Sequence, residues 1–132
     1  MSHSYPIRIF YEDTDMAGIV YYANYLKYLE RARSDVVEQL GLDQRAMRDE
    51  GIVFVVTRVE ADYLGTAHFG DRLEVRSTHH AQGALRWVFD QEVFREDKCI
   101  LRAKVTAVCM STAGKPTRLP AKLRSQLATQ AD

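Results

Sequence analysis

The sequence has few cysteines and no long apolar run. Its two cysteines, Cys99 and Cys109, fall in one predicted strand. Ten residues of strand span roughly 33 Å, which is far beyond the reach of a disulfide. The pair also lacks the C-x-x-C spacing of zinc and redox sites, so we expect buried free thiols.

No apolar stretch approaches the roughly 20 residues of a membrane span, and the first ten residues lack the apolar segment of a signal peptide. We therefore expect a cytoplasmic protein.

An excess of one charge sign is also missing. The 132-residue chain carries 18 basic and 18 acidic side chains. The lack of a basic excess argues against a nucleic-acid partner, and the lack of a like-charge block argues against a disordered tail. The length fits one domain with a moderate core, and the chain contains no repeat and no linker. We expect a single domain over residues 1–132.

The first third of the chain is predicted to be mainly helical. A short strand over Ile7–Tyr11 comes first, and a helix follows from about Tyr22 to Leu40, with Gly41 suited to the position after its end. A short helical turn is predicted over Gln44–Glu50. The apolar positions of the long helix are Tyr22, Leu26, Leu29, Val36, Val37 and Leu40.

The rest of the chain alternates with a period of two, which predicts four strands. The inward set of the first strand is Val53, Val55, Thr57, Val59, Ala61 and Tyr63. Short connections favour antiparallel neighbours. The simplest packing is an α+β fold in which a sheet wraps its apolar face around the long helix. Unpaired strand edges then favour a homodimer.

Motifs of several common sites are absent. The chain has no G-x-S-x-G, no H-E-x-x-H, no P-loop and no G-x-G-x-x-G. His79 and His80 are expected on opposite faces of a strand rather than as a metal pair. A calcium loop beginning at Asp13 fails at Ala17 and Asn24, where oxygen ligands are required. A magnesium site on two carboxylates is the looser alternative, and we expect no metal.

The stretch Y-E-D-T-D-M-A-G-I-V-Y-Y-A-N-Y, residues 11–25, places carboxylates directly before the long helix. A carboxylate at a helix entrance can act as nucleophile or general base, and helix N–H groups can polarise a carbonyl. A thiolate leaves readily because its parent thiol has a pKa of about 8.5. The stretch therefore predicts hydrolysis of a thioester without a cofactor.

The same stretch, together with L-E-R-A-R and with V-E-A-D-Y-L at Val59–Leu64, resembles the hotdog-fold acyl-CoA thioesterases of the 4-hydroxybenzoyl-CoA thioesterase type. Within that family it resembles most the Tol–Pal-associated YbgC branch. The resemblance implies a hotdog fold, an antiparallel sheet wrapped around one long central helix. It also implies hydrolysis of acyl-CoA to a free acid, with coenzyme A as part of the substrate. The active site is expected at the interface of a homodimer or of a tetramer built from it.

The resemblance also assigns roles to residues. Asp15 corresponds to the catalytic carboxylate, and Tyr22 to the residue whose backbone N–H faces the thioester carbonyl. Tyr11 matches a tyrosine just before the motif, and Tyr11, Gly18 and Glu30 are expected to bind substrate. Glu30 is the second candidate carboxylate, because other hotdog enzymes use a helix glutamate, although it could instead pair with a neighbour on the helix.

Tyr22 departs from the branch, which commonly has histidine there. If that histidine assists catalysis, its loss would slow turnover or change the acyl preference, whereas a backbone donor would survive. The alternative function is a hotdog interaction module with weak or no hydrolysis, docking on lipid-synthesis or Tol–Pal envelope partners. Asp13 is interpreted as an exposed or capping acid, and Arg86 as a solvated strand arginine.

Overall fold

The sheet and helices are seen in a computed structural model, which describes residues 2–130. The strands are β1 His3–Arg8, β2 Ile52–Tyr63, β3 Arg72–Gln82, β4 Arg86–Arg95 and β5 Lys98–Ser111; the α-helices are α1 Asn24–Gln39, α2 Gln44–Asp49 and α3 Ala121–Gln130. The strands form one five-stranded sheet in the order β1-β3-β4-β5-β2, antiparallel throughout. The α+β architecture predicted from the sequence is confirmed.

Helix α1 lies against the inner face of the sheet and supplies much of the core. Its buried residues are Tyr25, Tyr28, Leu29, Ala32, Val36 and Val37. Tyr22 and Leu26, predicted on this face, are 62% and 41% exposed. Tyr22 precedes the helix, which begins at Asn24, and Leu26 lies outside the buried stripe that contains Tyr25 and Leu29. Gly41 follows the helix with a φ of +77°, a conformation that favours glycine, as predicted.

A buried glutamine joins α1 to the sheet. Gln91, in the middle of β4, is fully buried and donates hydrogen bonds to the Leu29 carbonyl at 3.1 Å and to the Ser77 hydroxyl at 3.0 Å. Its side-chain oxygen accepts a hydrogen bond from Arg33 at 3.0 Å. Burial lowers the pKa of Arg33 below its usual value. The buried Gln91 amide therefore has hydrogen-bond partners both in α1 and in the sheet.

The inward set predicted for β2 is wrong in its first half. The register against β5 shifts between Val56 and Arg58, so Thr57 is an extra residue in the strand. Such a bulge exchanges the inner and outer positions of the strand. Phe54 and Val56 therefore share the inner face before the bulge, opposite Cys109 and Ala107. After it, the predicted positions Val59, Ala61 and Tyr63 lie opposite inner residues of β5.

Three further local predictions are corrected or completed. The first strand begins at His3 rather than Ile7 and contains Pro6, which is tolerated because β1 is an edge strand. Tyr11 lies beyond it, in a 3₁₀ turn over Tyr11–Asp13. Helix α3 was not predicted, and it buries Leu123 and Leu127.

Both cysteines are free. Cys109 is buried as predicted, and Cys99 is only partly buried. In the part of the chain that the structure describes, no helix has both the length and the apolar character needed to cross a membrane.

Candidate active site

Asp15 opens a tight hairpin turn before α1. The strands of this turn meet at a bridge between Thr14 and Val20, and the Asp15 N–H donates to the Ile19 carbonyl at 2.9 Å. The Gly18 N–H donates to the Asp15 carbonyl at 3.0 Å. Gly18 has a φ of +81°, in the left-handed region that favours glycine. The turn therefore fixes the backbone of Asp15 and favours glycine three positions later.

The side chains of Asp15 and Asp13 differ in exposure, since Asp15 is exposed and Asp13 is partly buried. The exposed Asp15 carboxylate accepts one hydrogen bond, from the Ala17 N–H at 2.9 Å, through Oδ1. Its Oδ2 atom has no hydrogen bond to any residue from 2 to 130. The Asp13 carboxylate instead accepts the Phe10 N–H at 2.7 Å and closes the 3₁₀ turn. Each carboxylate thus accepts one hydrogen bond among the described residues, and Asp15 is the one more open to water or substrate.

Hydrogen bonds to the Asp13 carbonyl attach this hairpin to the start of α1. The Asp13 carbonyl accepts the Tyr21 N–H at 2.9 Å and the Asn24 side-chain amide at 2.9 Å. The Val20 N–H donates to the Ala67 carbonyl at 2.8 Å, which ties the hairpin to the β2–β3 loop as well. The carboxylate loop and the helix entrance therefore form one hydrogen-bonded unit.

Tyr22 lies two residues before α1, with an engaged carbonyl and a free N–H. Its carbonyl accepts a hydrogen bond from the Tyr63 hydroxyl at 2.9 Å. Its N–H donates to no residue in the described range 2–130. Burial raises the pKa of Tyr63, so this hydroxyl keeps its proton near neutral pH. A free N–H next to the positive end of a helix dipole can polarise a carbonyl.

Of the other three predicted site residues, Gly18 belongs to this unit, whereas Tyr11 and Glu30 lie outside it. Gly18 is within the turn. Tyr11 is 77% exposed, and its ring centroid is 6.0 Å from that of Phe69. Glu30 is exposed on α1, where its carboxylate accepts a hydrogen bond from the Ser34 hydroxyl at 2.9 Å. This is the alternative predicted for Glu30, a pairing with a neighbour on the helix.

Glu30 also borders an apolar cavity of about 160 Å³. The cavity is lined by Glu30, Arg33, Ser34, Val37, Gln44, Phe54, Val56, Trp87, Phe89 and Ala107. Asp15 and Tyr22 are not among these residues. In a single chain, the candidate carboxylate and the apolar cavity are therefore separate features.

Two residues at the site were not singled out from the sequence. Asn24 was noted only as a failed calcium ligand, although an asparagine at a helix entrance commonly bonds the nearby backbone. Tyr63 ends β2, and only the register of the sheet brings its hydroxyl to Tyr22. No group of three or more His, Cys, Asp and Glu residues able to hold a metal ion occurs within the described residues.

Comparison with known families decides what kind of protein carries this site. The model of the thioesterase-like superfamily matches residues 11–127, which include the hairpin, α1 and the whole sheet except β1. The chain belongs to the thioesterase-like superfamily. The predicted family is thereby confirmed.

Individual thioesterases are similar over most of their length. The acyl-CoA thioester hydrolase YbgC of Escherichia coli O6:H1 is 33% identical over 118 residues, 88% of each chain. A 1,4-dihydroxy-2-naphthoyl-CoA thioesterase from Synechocystis superposes with a TM-score of 0.90 at 24% identity, over 97% of this chain and 96% of that one. A 4-hydroxybenzoyl-CoA thioesterase variant crystallised with 4-hydroxybenzoyl-CoA gives 0.87 at 23% identity, over 96% and 98% of the two chains. The predictions of a hotdog fold and of a thioester hydrolase are thus confirmed.

Proposed function

We propose that this thioesterase hydrolyses acyl-CoA to a free acid and coenzyme A at Asp15. The observation that carries the proposal is an exposed carboxylate with an available oxygen, hydrogen-bonded through its loop to a helix entrance with a free N–H. The similarity to a relative named acyl-CoA thioester hydrolase supports the choice of substrate class.

The Tyr22 N–H donates a hydrogen bond to the thioester carbonyl oxygen and stabilises the negative charge that develops there. Asp15 then acts in one of two ways. It takes a proton from the water that attacks the carbonyl carbon, or it attacks that carbon itself to give an anhydride that water cleaves. In both routes the C–S bond breaks, and coenzyme A leaves as a thiolate and takes up a proton.

The remaining site residues are proposed to bind substrate. A Cβ at Gly18 would meet no atom within 4 Å, so the surface of the turn is open to an incoming chain. The exposed Tyr11 ring lies beside Phe69 at the same end of the molecule. Glu30 and the apolar cavity beside it are the second place where an acyl group can be held.

A homodimer, or a tetramer built from it, is proposed to complete the site. The β2 strand is an edge of the sheet, and Val55, Val56 and Val59 along it are 36%, 46% and 42% exposed. Unpaired backbone groups beside exposed valines favour pairing with a second copy through a two-fold axis. Pairing of this kind would bring elements of a partner subunit to an active site that a single chain leaves open.

The proposal is tested with the purified chain and a panel of short aliphatic, long aliphatic and aromatic acyl-CoAs. Release of coenzyme A is followed with a thiol reagent, with and without EDTA. We expect turnover of at least one substrate, unchanged by EDTA. Loss of activity on chelation with rescue by magnesium would instead indicate a metal site. Hydrolysis of none of the panel would contradict the proposal and favour an interaction module.

A further inference from the structure

Asn24 connects the carboxylate loop to α1 without capping the helix. Its side-chain amide donates to the Asp13 carbonyl at 2.9 Å, eleven residues back along the chain. The N-cap position of α1 is Ala23, and that end of the helix has no side-chain cap hydrogen bond. The Asn24 amide is therefore directed away from the helix backbone and toward the loop that carries Asp15.

The hydrogen bond between the Asn24 amide and the Asp13 carbonyl is part of a small network that includes the backbone of Tyr21. The Asn24 backbone N–H donates to the Tyr21 carbonyl at 2.8 Å, and the Tyr21 N–H donates to the same Asp13 carbonyl that the Asn24 amide binds. These three hydrogen bonds enclose Tyr22. Asp13 is two residues before Asp15, and Tyr22 follows Tyr21 directly. The network therefore links the candidate carboxylate to the candidate N–H donor.

A second side chain approaches Asp13 from the same helix. Tyr28 lies one turn after Asn24 and is fully buried. Its hydroxyl has no partner with hydrogen-bond geometry among residues 2–130. Burial and then the neighbouring Asp13 carboxylate raise the pKa of this hydroxyl. Two side chains of α1, Asn24 and Tyr28, therefore approach Asp13.

We propose that Asn24 is a positioning residue for the thioesterase reaction. Its amide holds the Asp13 carbonyl, and thereby sets Asp15 relative to the Tyr22 N–H. This inference rests on the proposed function of Asp15. Asn24 itself touches no reacting atom, so its effect must act on kcat through Asp15 and must leave the binding of coenzyme A largely intact.

The test is Asn24→Ala, which removes the amide and retains good helix propensity. We expect kcat to fall about 10- to 100-fold, as for a small misplacement of a reacting group, with KM changed less than about threefold. Amide hydrogen exchange over residues 14–20 should be about fivefold faster, the effect of losing one hydrogen bond. Asn24→Asp removes the donor with nearly the same shape and serves if the alanine variant does not fold.

Thr14→Val is the matched control. The Thr14 hydroxyl donates to the Tyr11 carbonyl at 2.7 Å within the same loop but makes no bond to α1. We expect this variant to keep kcat within about threefold of wild type. A loss equal to that of Asn24→Ala would mean that any loosening of the loop has the same effect, and would overturn the assignment.

A double-mutant cycle with Asp15→Asn separates positioning from general stabilisation. If Asn24 acts through Asp15, Asn24→Ala causes no further loss of kcat in the Asp15→Asn background. An equal loss in both backgrounds overturns the proposal, and so does exchange over residues 14–20 that matches wild type. The exchange measurement needs no turnover. If no acyl-CoA is hydrolysed, the proposed function fails while the link from Asn24 to the loop is still tested.

Discussion

The Tyr22 carbonyl accepts a hydrogen bond from the Tyr63 hydroxyl. Removing that hydroxyl in Tyr63→Phe leaves the Tyr22 carbonyl without its partner and lets the neighbouring N–H move. We predict a decrease in kcat of about five- to tenfold, which corresponds to the loss of one hydrogen bond. Steady-state kinetics on the preferred acyl-CoA checks this. Tyr21→Phe, whose ring packs 5.0 Å from Tyr22, is the control. An unchanged kcat in Tyr63→Phe would show that Tyr22 needs no such support.

His79 makes stability depend on pH. Its Nδ1 accepts the Trp87 indole N–H at 3.1 Å, which requires a neutral ring, and burial lowers its pKa from 6.5 to about 4. Between these values the unfolded chain binds a proton that the folded protein does not. The contribution of His79 to the free energy of unfolding therefore rises as the pH increases from 4 to 6.5.

Urea unfolding across this pH range measures the effect. His79→Gln keeps an acceptor for Trp87 but cannot be protonated, so its pH slope should be flatter than that of wild type. The exposed neighbour His80 gives the control variant His80→Gln, which should retain the wild-type slope. If the free energy of unfolding has the same pH slope in wild type and in His79→Gln, His79 is not the source of the pH dependence.

At the residue scale, the sequence predicts what is local. Asp15 and Gly18 are close to the helix start in the chain, so the motif alone predicts the hairpin turn that carries them and makes them candidates for the site. The bond from Tyr63 to Tyr22 joins residues 41 positions apart. It depends on where β2 ends relative to α1, which the alternation of one strand does not specify.

At the scale of elements, α1 is attached to the sheet through Gln91. Gln91→Leu fills the same space but leaves the Arg33 guanidinium and the Ser77 hydroxyl without their buried partner. We predict a loss of about 2–4 kcal/mol in the free energy of unfolding, because unsatisfied buried polar groups are costly. Denaturant unfolding measures it, with Asp90→Asn on the exposed face of the same strand as the control. A stability equal to wild type would mean that α1 is held by apolar packing alone.

The elements themselves were largely predictable, because long runs of one period identify them. The long helix, α2 and four strands follow from periodicity, whereas the inner face of β2 does not. A single extra residue at Thr57 exchanges the two faces, and the valines on both sides of it conceal the change. Helix α3 has only a weak apolar pattern and is set by the packing of Leu123 and Leu127.

At the scale of the whole molecule, the proposed dimer makes specific activity depend on protein concentration. If a partner subunit completes the site, specific activity must fall when the protein is diluted below the dimer dissociation constant. Sedimentation at each assay concentration measures the fraction of dimer, and activity should follow that fraction. A charge at the exposed β2 edge, Val59→Lys, should produce folded but inactive monomers. A fully active monomer would contradict the proposed interface site.

The kcat of Asp15→Asn tests the role of Asp15 most directly. Asparagine keeps the size of the side chain and an acceptor for the Ala17 N–H, but it has no charge and cannot take a proton. We predict that kcat falls about 10²- to 10⁴-fold, with unfolding unchanged. Asp13→Asn should lower kcat less, because the Asp13 carboxylate is partly buried and closes the 3₁₀ turn. Near wild-type kcat in Asp15→Asn, with activity abolished in Glu30→Gln, would show that the helix glutamate is the catalytic group instead.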